Sequence, residues 1–174
     1  LLRDVAYQMQ FRGHLVELHR LAAQAIQALY EKDLASHYPD LVYHYRQTNN
    51  NNLERHYAQL AGKQAADKFA MAEALEYYNR ALELSTDPET QYPLLLSIED
   101  VIHLQGDREQ QENILNRLET IIVDNPDRVD WKAEVLFRQS RYQEITGNPG
   151  QAVEIAKQVV EVSTNYPEIL ANAY

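Results

Sequence analysis

Residues 53–88 read LERHYAQLAGKQAADKFAMAEALEYYNRALELSTDP. Apolar and small residues recur there every three or four positions, which predicts two amphipathic helices, 53–67 and 70–84, folded back on each other and closed near Pro88. The closing signal recurs along the chain. A proline followed by an acid appears at Pro88-Glu89, Pro126-Asp127 and Pro167-Glu168, and Gly106-Asp107 stands 41 residues before Gly147-Asn148. A fixed spacing of this kind is the mark of a helical repeat array. Two more hairpins follow from it, 91–105 with 108–123 and 129–146 with 151–162. In each, the proline is expected in the first turn of the next helix, where its missing amide is tolerated and the following acid meets the positive end of the helix dipole.

Ahead of this array the pattern is looser. Leu15, Leu18, Ala22, Ala25 and Leu29 predict one helix beginning near Gly13. Leu34, Tyr38, Leu41, Val42 and Tyr45 predict a second over 33–47, with Pro39 near its start. Thr48 and the asparagine run 49–52 should end it as a loop, because asparagine side chains compete for the backbone. The segments are thus 1–12, the tail of a preceding domain; 13–52, a helical pair; 53–88, 89–126 and 127–167, three hairpin units; and 168–174, the start of a further repeat.

Composition restricts function. The chain has 174 residues, 45% apolar, with six prolines, five glycines and no cysteine. Disulfides, thiolate metal sites and a thiol nucleophile are therefore excluded. No apolar run approaches the ~20 residues of a membrane span, and no secretory pattern opens the chain, so a cytoplasmic location without membrane contact is expected. The net charge is −10 and lies beyond residue 50, since the first 50 residues balance five acids with five bases. That charge argues against nucleic acid as a partner.

The 53–88 unit resembles the tetratricopeptide repeat, which places a small residue at its eighth position, then Ala, an aromatic and Ala in its second helix, and then Pro. With Arg55 as position one, Gly62 falls at eight, Ala74 at twenty, Tyr78 at twenty-four, Ala81 at twenty-seven and Pro88 just beyond the usual proline. Starts at Tyr92 and Ala133 give the other two units. Their eighth positions are Glu99 and Ser140, and their twentieth are Gln111 and Ala152. The resemblance implies an all-α fold of antiparallel helical hairpins stacked as a right-handed solenoid.

The phrases Leu1-Leu2-Arg3-Asp4-Val5-Ala6-Tyr7, Leu18-His19-Arg20-Leu21-Ala22, His44-Tyr45-Arg46-Gln47 and Leu60-Ala61-Gly62-Lys63-Gln64-Ala65 further resemble the region after the NTPase module in large bacterial signalling proteins. Those proteins join a STAND or AAA-type ATPase to such repeats, often with a nucleotidyl cyclase or protein kinase. This resemblance implies a regulatory arm that contacts protein, either neighbouring domains or a separate partner.

No catalytic chemistry is legible. Neither G-x-x-x-x-G-K-[ST] nor G-x-G-x-x-G occurs, and 147–150 reads as a turn between helices. His14, His19, His37, His44 and His56 crowd the first third without an i, i+4 pair or an H-E-x-x-H motif, and are expected at the surface or between helices. Glu99, Asp100 and His103 lack an accompanying nucleophile. No cofactor, metal site or enzyme activity is expected. Tyr38, Tyr45 and Tyr78 should pack between helices with their hydroxyls bonded.

The second, fifth, ninth and twelfth positions of each unit should line a concave groove. From these the candidate protein-binding residues are His56, Gln59 and Lys63; Leu96, Asp100 and His103; and Phe137, Arg141 and Glu144. Asp100, Glu134 and Glu144 argue against a groove that clamps a C-terminal carboxylate. A stand-alone adaptor and a small-molecule-sensing solenoid are the alternative readings.

Overall fold

A computed structural model describes residues 12–165 and is all-helical among them. The helices are α1 (Arg12–Leu29), a 3₁₀ turn (Glu31–His37), α2 (Tyr38–Gln47), α3 (Asn51–Asp67), α4 (Met71–Glu83), α5 (Pro88–Gln105), α6 (Arg108–Asp124), α7 (Val129–Ile145) and α8 (Pro149–Asn165). The segments 1–12 and 168–174 assigned to flanking units lie almost wholly outside the described residues, as does Pro167. Two compact units divide between Ser97 and Ile98, inside α5.

In the first unit α1 packs on α2, α2 on α3, and α3 on α4. Helix α3 therefore has a neighbour on either side, and both possible hairpin pairings of that helix are physically present. The 3₁₀ turn touches α1, α2 and α3 and is pinned by Gln64 Nε2 donating to the Ala35 carbonyl at 3.0 Å. At its centre, Tyr45 and Tyr57 stack with centroids 5.6 Å apart and planes 3° from parallel. Gln27 of α1 binds both hydroxyls, accepting from Tyr45 at 2.9 Å and donating to Tyr57 at 2.6 Å. Two buried phenols are thereby satisfied by a single amide.

The second unit pairs α7 with α8 and α6 with α7. Ile98, Val101 and Ile102 of α5, Ile114, Leu115 and Leu118 of α6, Trp131, Ala133, Val135 and Leu136 of α7, and Ala152 of α8 are its buried apolar residues among those described. Gly106 (φ 77°) and Gly147 (φ 84°) end α5 and α7 in the left-handed conformation that glycine adopts without steric penalty. Asp107 then caps α6 by accepting from the Gln110 amide at 3.0 Å.

Several local expectations are corrected. The predicted helix 33–47 is broken: Asp33 has φ −140° and ψ 42°, so the chain runs as a 3₁₀ turn up to His37 and becomes α-helical only at Tyr38, with Pro39 in its first turn. The asparagine run is split rather than all loop. Asn49 takes φ 53°, Asn50 caps α3 by accepting from the Leu53 amide at 3.2 Å, and Asn51 and Asn52 are already helical. Helix α5 begins at Pro88, not at residue 91, because Asp87 accepts from the Thr90 amide at 2.9 Å and Pro88 suits the first position. Pro126 lies in a turn ahead of α7 rather than in its first turn, whereas Pro149 and Gly150 belong to α8 rather than to the preceding turn.

The face of α1 is also displaced. Leu18 (45% exposed) and Leu29 (77%) point outward, while His19 and Ala23 are buried. The leucine stripe gave the wrong face because α1 meets α2 through small and polar side chains.

Candidate functional site

The eighth and twentieth positions, 12 residues apart in each hairpin, organise the structure around the candidate residues. In the 53–88 hairpin a Cβ on Gly62 would stand 2.7 Å from Tyr78 Cδ1 and 2.8 Å from Cε1. Only glycine lets the two helices approach this closely, and Ala74 opposite is completely buried. In the third hairpin Ser140 Oγ donates to the Ala152 carbonyl at 2.9 Å.

The second hairpin joins the same two positions by hydrogen bonding. Gln111 Nε2 donates to Glu99 Oε1 at 2.6 Å, with both side chains wholly buried. Glu99 and Gln111 each depart from the small-residue pattern, and the two departures face one another.

Glu99 is the centre of a larger network. Arg138 Nη1 donates to Glu99 Oε2, and Arg141 Nη2 lies 3.2 Å from the same oxygen. Arg138 also reaches Asp100 Oδ1 at 2.6 Å and Glu134 Oε1, one helical turn away, at 2.6 Å. Burial opposes the charge on Arg138, but Asp100, Glu134 and Glu99 outweigh that and raise its pKa. Gln111 Nε2 is 3.2 Å from His103 Nδ1, and Arg108 donates to Gln111 Oε1 at 2.5 Å. Burial, followed by the nearby positive charge of Arg141, pushes the His103 pKa down, while Glu99 pulls it up.

The network brings together three of the candidate groove residues, Asp100, His103 and Arg141. Each is occupied by internal partners, and Asp100 and Glu134 are both ion-paired with Arg138. Phe137, on the same helix as Arg138 and Arg141, is 54% exposed. Glu144 is exposed and lines a shallow cavity of about 250 Å³ with Ser140, Pro149, Ala152, Val153 and Ala156. In the first unit His56, Gln59 and Lys63 are exposed along one face of α3, and Leu96 on α5 is half-buried.

Sequence reasoning missed Arg138 as the central cation. Its signal was present: Glu134 precedes it by four residues, the spacing of a helical ion pair, and Glu99 needed a counter-charge once it was placed at a packing position. It also missed Glu54 of α3, which is buried and accepts from Arg80 Nε of α4 at 2.6 Å.

Buried ion pairs and hydrogen bonds thus tie α5, α6 and α7 together around Glu99. Among the described residues, no cluster of three or more His, Asp or Glu side chains is placed to hold a metal ion, and no helix is long and apolar enough to cross a membrane. In comparisons with known proteins, no family model matches the chain, and no curated protein matches it either.

Proposed function

We propose that the chain is a noncatalytic protein-interaction module of tetratricopeptide-like helical hairpins, which binds protein through exposed positions on the first helices of those hairpins. One observation carries this reading. The first and second helices of a hairpin meet at Gly62 and at Ser140, and Glu99 is hydrogen-bonded to Gln111 at the corresponding positions, while neighbouring positions stay exposed at His56, Gln59 and Lys63 on α3 and at Phe137 and Glu144 on α7. On α7, a large exposed aromatic, Phe137, on the same helix as exposed Glu144 suits a polypeptide ligand, since aromatic anchors carry much of the energy of protein interfaces.

Phe137→Glu tests it. The variant changes an exposed position and should keep the melting temperature of the parent chain, yet lose a protein that the parent retains in a pull-down. Identical retained proteins for the two baits would reject Phe137 as part of the binding face. Arg141→Glu is unsuitable for this purpose, because it would set a second carboxylate against buried Glu99 and unfold the unit it was meant to probe.

The narrower reading, a signal-transmitting arm of a larger signalling ATPase or cyclase, rests on the sequence resemblance at residues 1–7, 18–22, 44–47 and 60–65. Under it the bound segment belongs to the same polypeptide. Transmission then requires that segment to bind two states of the parent with different affinity. Deleting 53–167 from such a parent should change its output activity, and unchanged output would reject the arm.

A further inference from the structure

Helix α1 is apolar on two opposite sides. One side holds His19 and Ala23, both buried, and His19 meets His44 of α2 at 2.8 Å. On the other side Leu18, Leu21, Ala25 and Ala28 are all exposed, Leu18 by 45% and Leu21 by 48%. Their spacing is three, four and three residues, the 3.5-residue period with which one helix packs along another. Leu29, 77% exposed, extends the same side. A helix with two apolar faces has room for two neighbours, and α2 is the inner one.

The order of residues along the outer stripe identifies the second neighbour. Its large side chains, Leu18 and Leu21, come first, and its small ones, Ala25 and Ala28, follow. Laid antiparallel on a copy of itself, with Leu18 opposite Ala28 and Leu21 opposite Ala25, the stripe sets every leucine against an alanine. Large against small in each layer keeps the two axes evenly spaced. A parallel pairing sets leucine on leucine and alanine on alanine, which holds the helices apart at one end and leaves a gap at the other. Charge agrees with a second copy. The net charge of −10 lies wholly beyond residue 50, so two chains repel one another least through their first 50 residues. Beside the stripe, Glu17 and Arg20 are paired within their own helix at 2.8 Å, and the antiparallel register brings uncharged Gln24 next to its own copy.

We propose that the outer side of α1 joins two copies of this chain as an antiparallel helix pair, about a two-fold axis beside Gln24. Such an interface is isologous, each copy giving and receiving the same contacts, so assembly closes at two. The pairing is separate from the protein-binding reading above, because His56, Lys63 and Phe137 take no part in it. A dimer carries every binding position twice and gains avidity for a partner with two matching sites. One helix of 18 residues on each side, about 27 Å long, buries less than the roughly 1,200 Å² at which standard interfaces begin. The dimer is therefore weak and reversible, and its population depends on concentration.

Sedimentation velocity of the full chain from about 1 μM to about 200 μM tests the pairing. The parent should pass from monomer to dimer, and no further, as concentration rises. Leu21→Glu charges an exposed position of the stripe and should stay monomeric over that range with unchanged helical circular dichroism. Should it lose helicity, Ala25→Gln takes its place, since it keeps helix propensity and blocks the close approach. A short bismaleimide reads the orientation, because the chain has no cysteine of its own. Gln24→Cys should crosslink to its copy. Ala28→Cys should not, since antiparallel pairing sets the two positions about 15 Å apart along the axis. A parent chain that stays monomeric throughout overturns the proposal and leaves this side of α1 to a different protein. A dimer that persists in folded Leu21→Glu, or one that crosslinks at 28 and not at 24, overturns it as well.

Discussion

Replacing Glu99 by Gln should destabilise the second unit more than any other single charge removal in its network. The carboxylate is completely buried and accepts from Gln111 at 2.6 Å, from Arg141 at 3.2 Å and from Arg138. An amide of the same shape removes the charge and turns one acceptor into a donor that faces other donors. Removing one partner of a buried ion pair typically costs about 3–5 kcal/mol. Arg138 keeps Asp100 and Glu134, each at 2.6 Å, so the lower end applies and we expect about 3 kcal/mol. Asp100→Asn removes a contact to the same guanidinium from a side chain that is 53% exposed, where solvent screening limits the loss to about 1 kcal/mol or less. Trp131 is the single tryptophan and lies buried in the same unit, so its fluorescence during urea unfolding reports the relevant transition. At an m-value of roughly 2 kcal/mol/M, Glu99→Gln should lower the midpoint by about 1.5 M. A loss no larger than that of Asp100→Asn would refute the assignment of Glu99 as the centre of the network.

Gly62→Ala should destabilise the α3–α4 hairpin by about 1 kcal/mol, since overpacking against Tyr78 at 2.7 Å outweighs the gain in helix propensity. The same change at Gly150, where a Cβ meets nothing within 4 Å, should be neutral or stabilising, so in thermal melts only the Gly62 variant should fall below the parent chain. Gln27→Leu strands two phenol hydroxyls in the first unit and should cost about 1–3 kcal/mol, read as lost amide protection in α2 and α3. Asp107→Ala removes the cap of α6 and should cost about 1 kcal/mol, visible as a lower urea midpoint by Trp131 fluorescence.

The helices beyond residue 53 were legible because periodicity, glycine and proline agreed there. Helix α6 was expected over 108–123 and spans Arg108–Asp124, and α7 was expected over 129–146 and spans Val129–Ile145. The first 52 residues were harder to read for two physical reasons. Helix α1 buries His19 and Ala23 rather than its leucines, so hydrophobic periodicity named the wrong face. The second helix is interrupted by the backbone of Asp33, which no residue preference near it announces. In the site, Glu99 and Gln111 were visible at the eighth and twentieth positions, where the repeat pattern has small residues, but nothing in the sequence joined the two. Only their contact at 2.6 Å shows that one polar pair has replaced one close steric approach. The groove residues followed from register alone, which predicts where a side chain starts but not whether a neighbour occupies it. Arg141 and Asp100 are so occupied, whereas Phe137, His56 and Lys63 remain exposed.

Site-specific photo-crosslinking in cells tests the binding face most directly. A photoreactive phenylalanine analogue placed at position 137, and in separate chains at 56 and 63, is compared with the same group at Phe69, which is 79% exposed in the turn before α4. The account predicts a discrete protein adduct from 137 and from at least one of 56 and 63, with none from 69. Adducts that are equal at all four positions, or absent from 137, would contradict it.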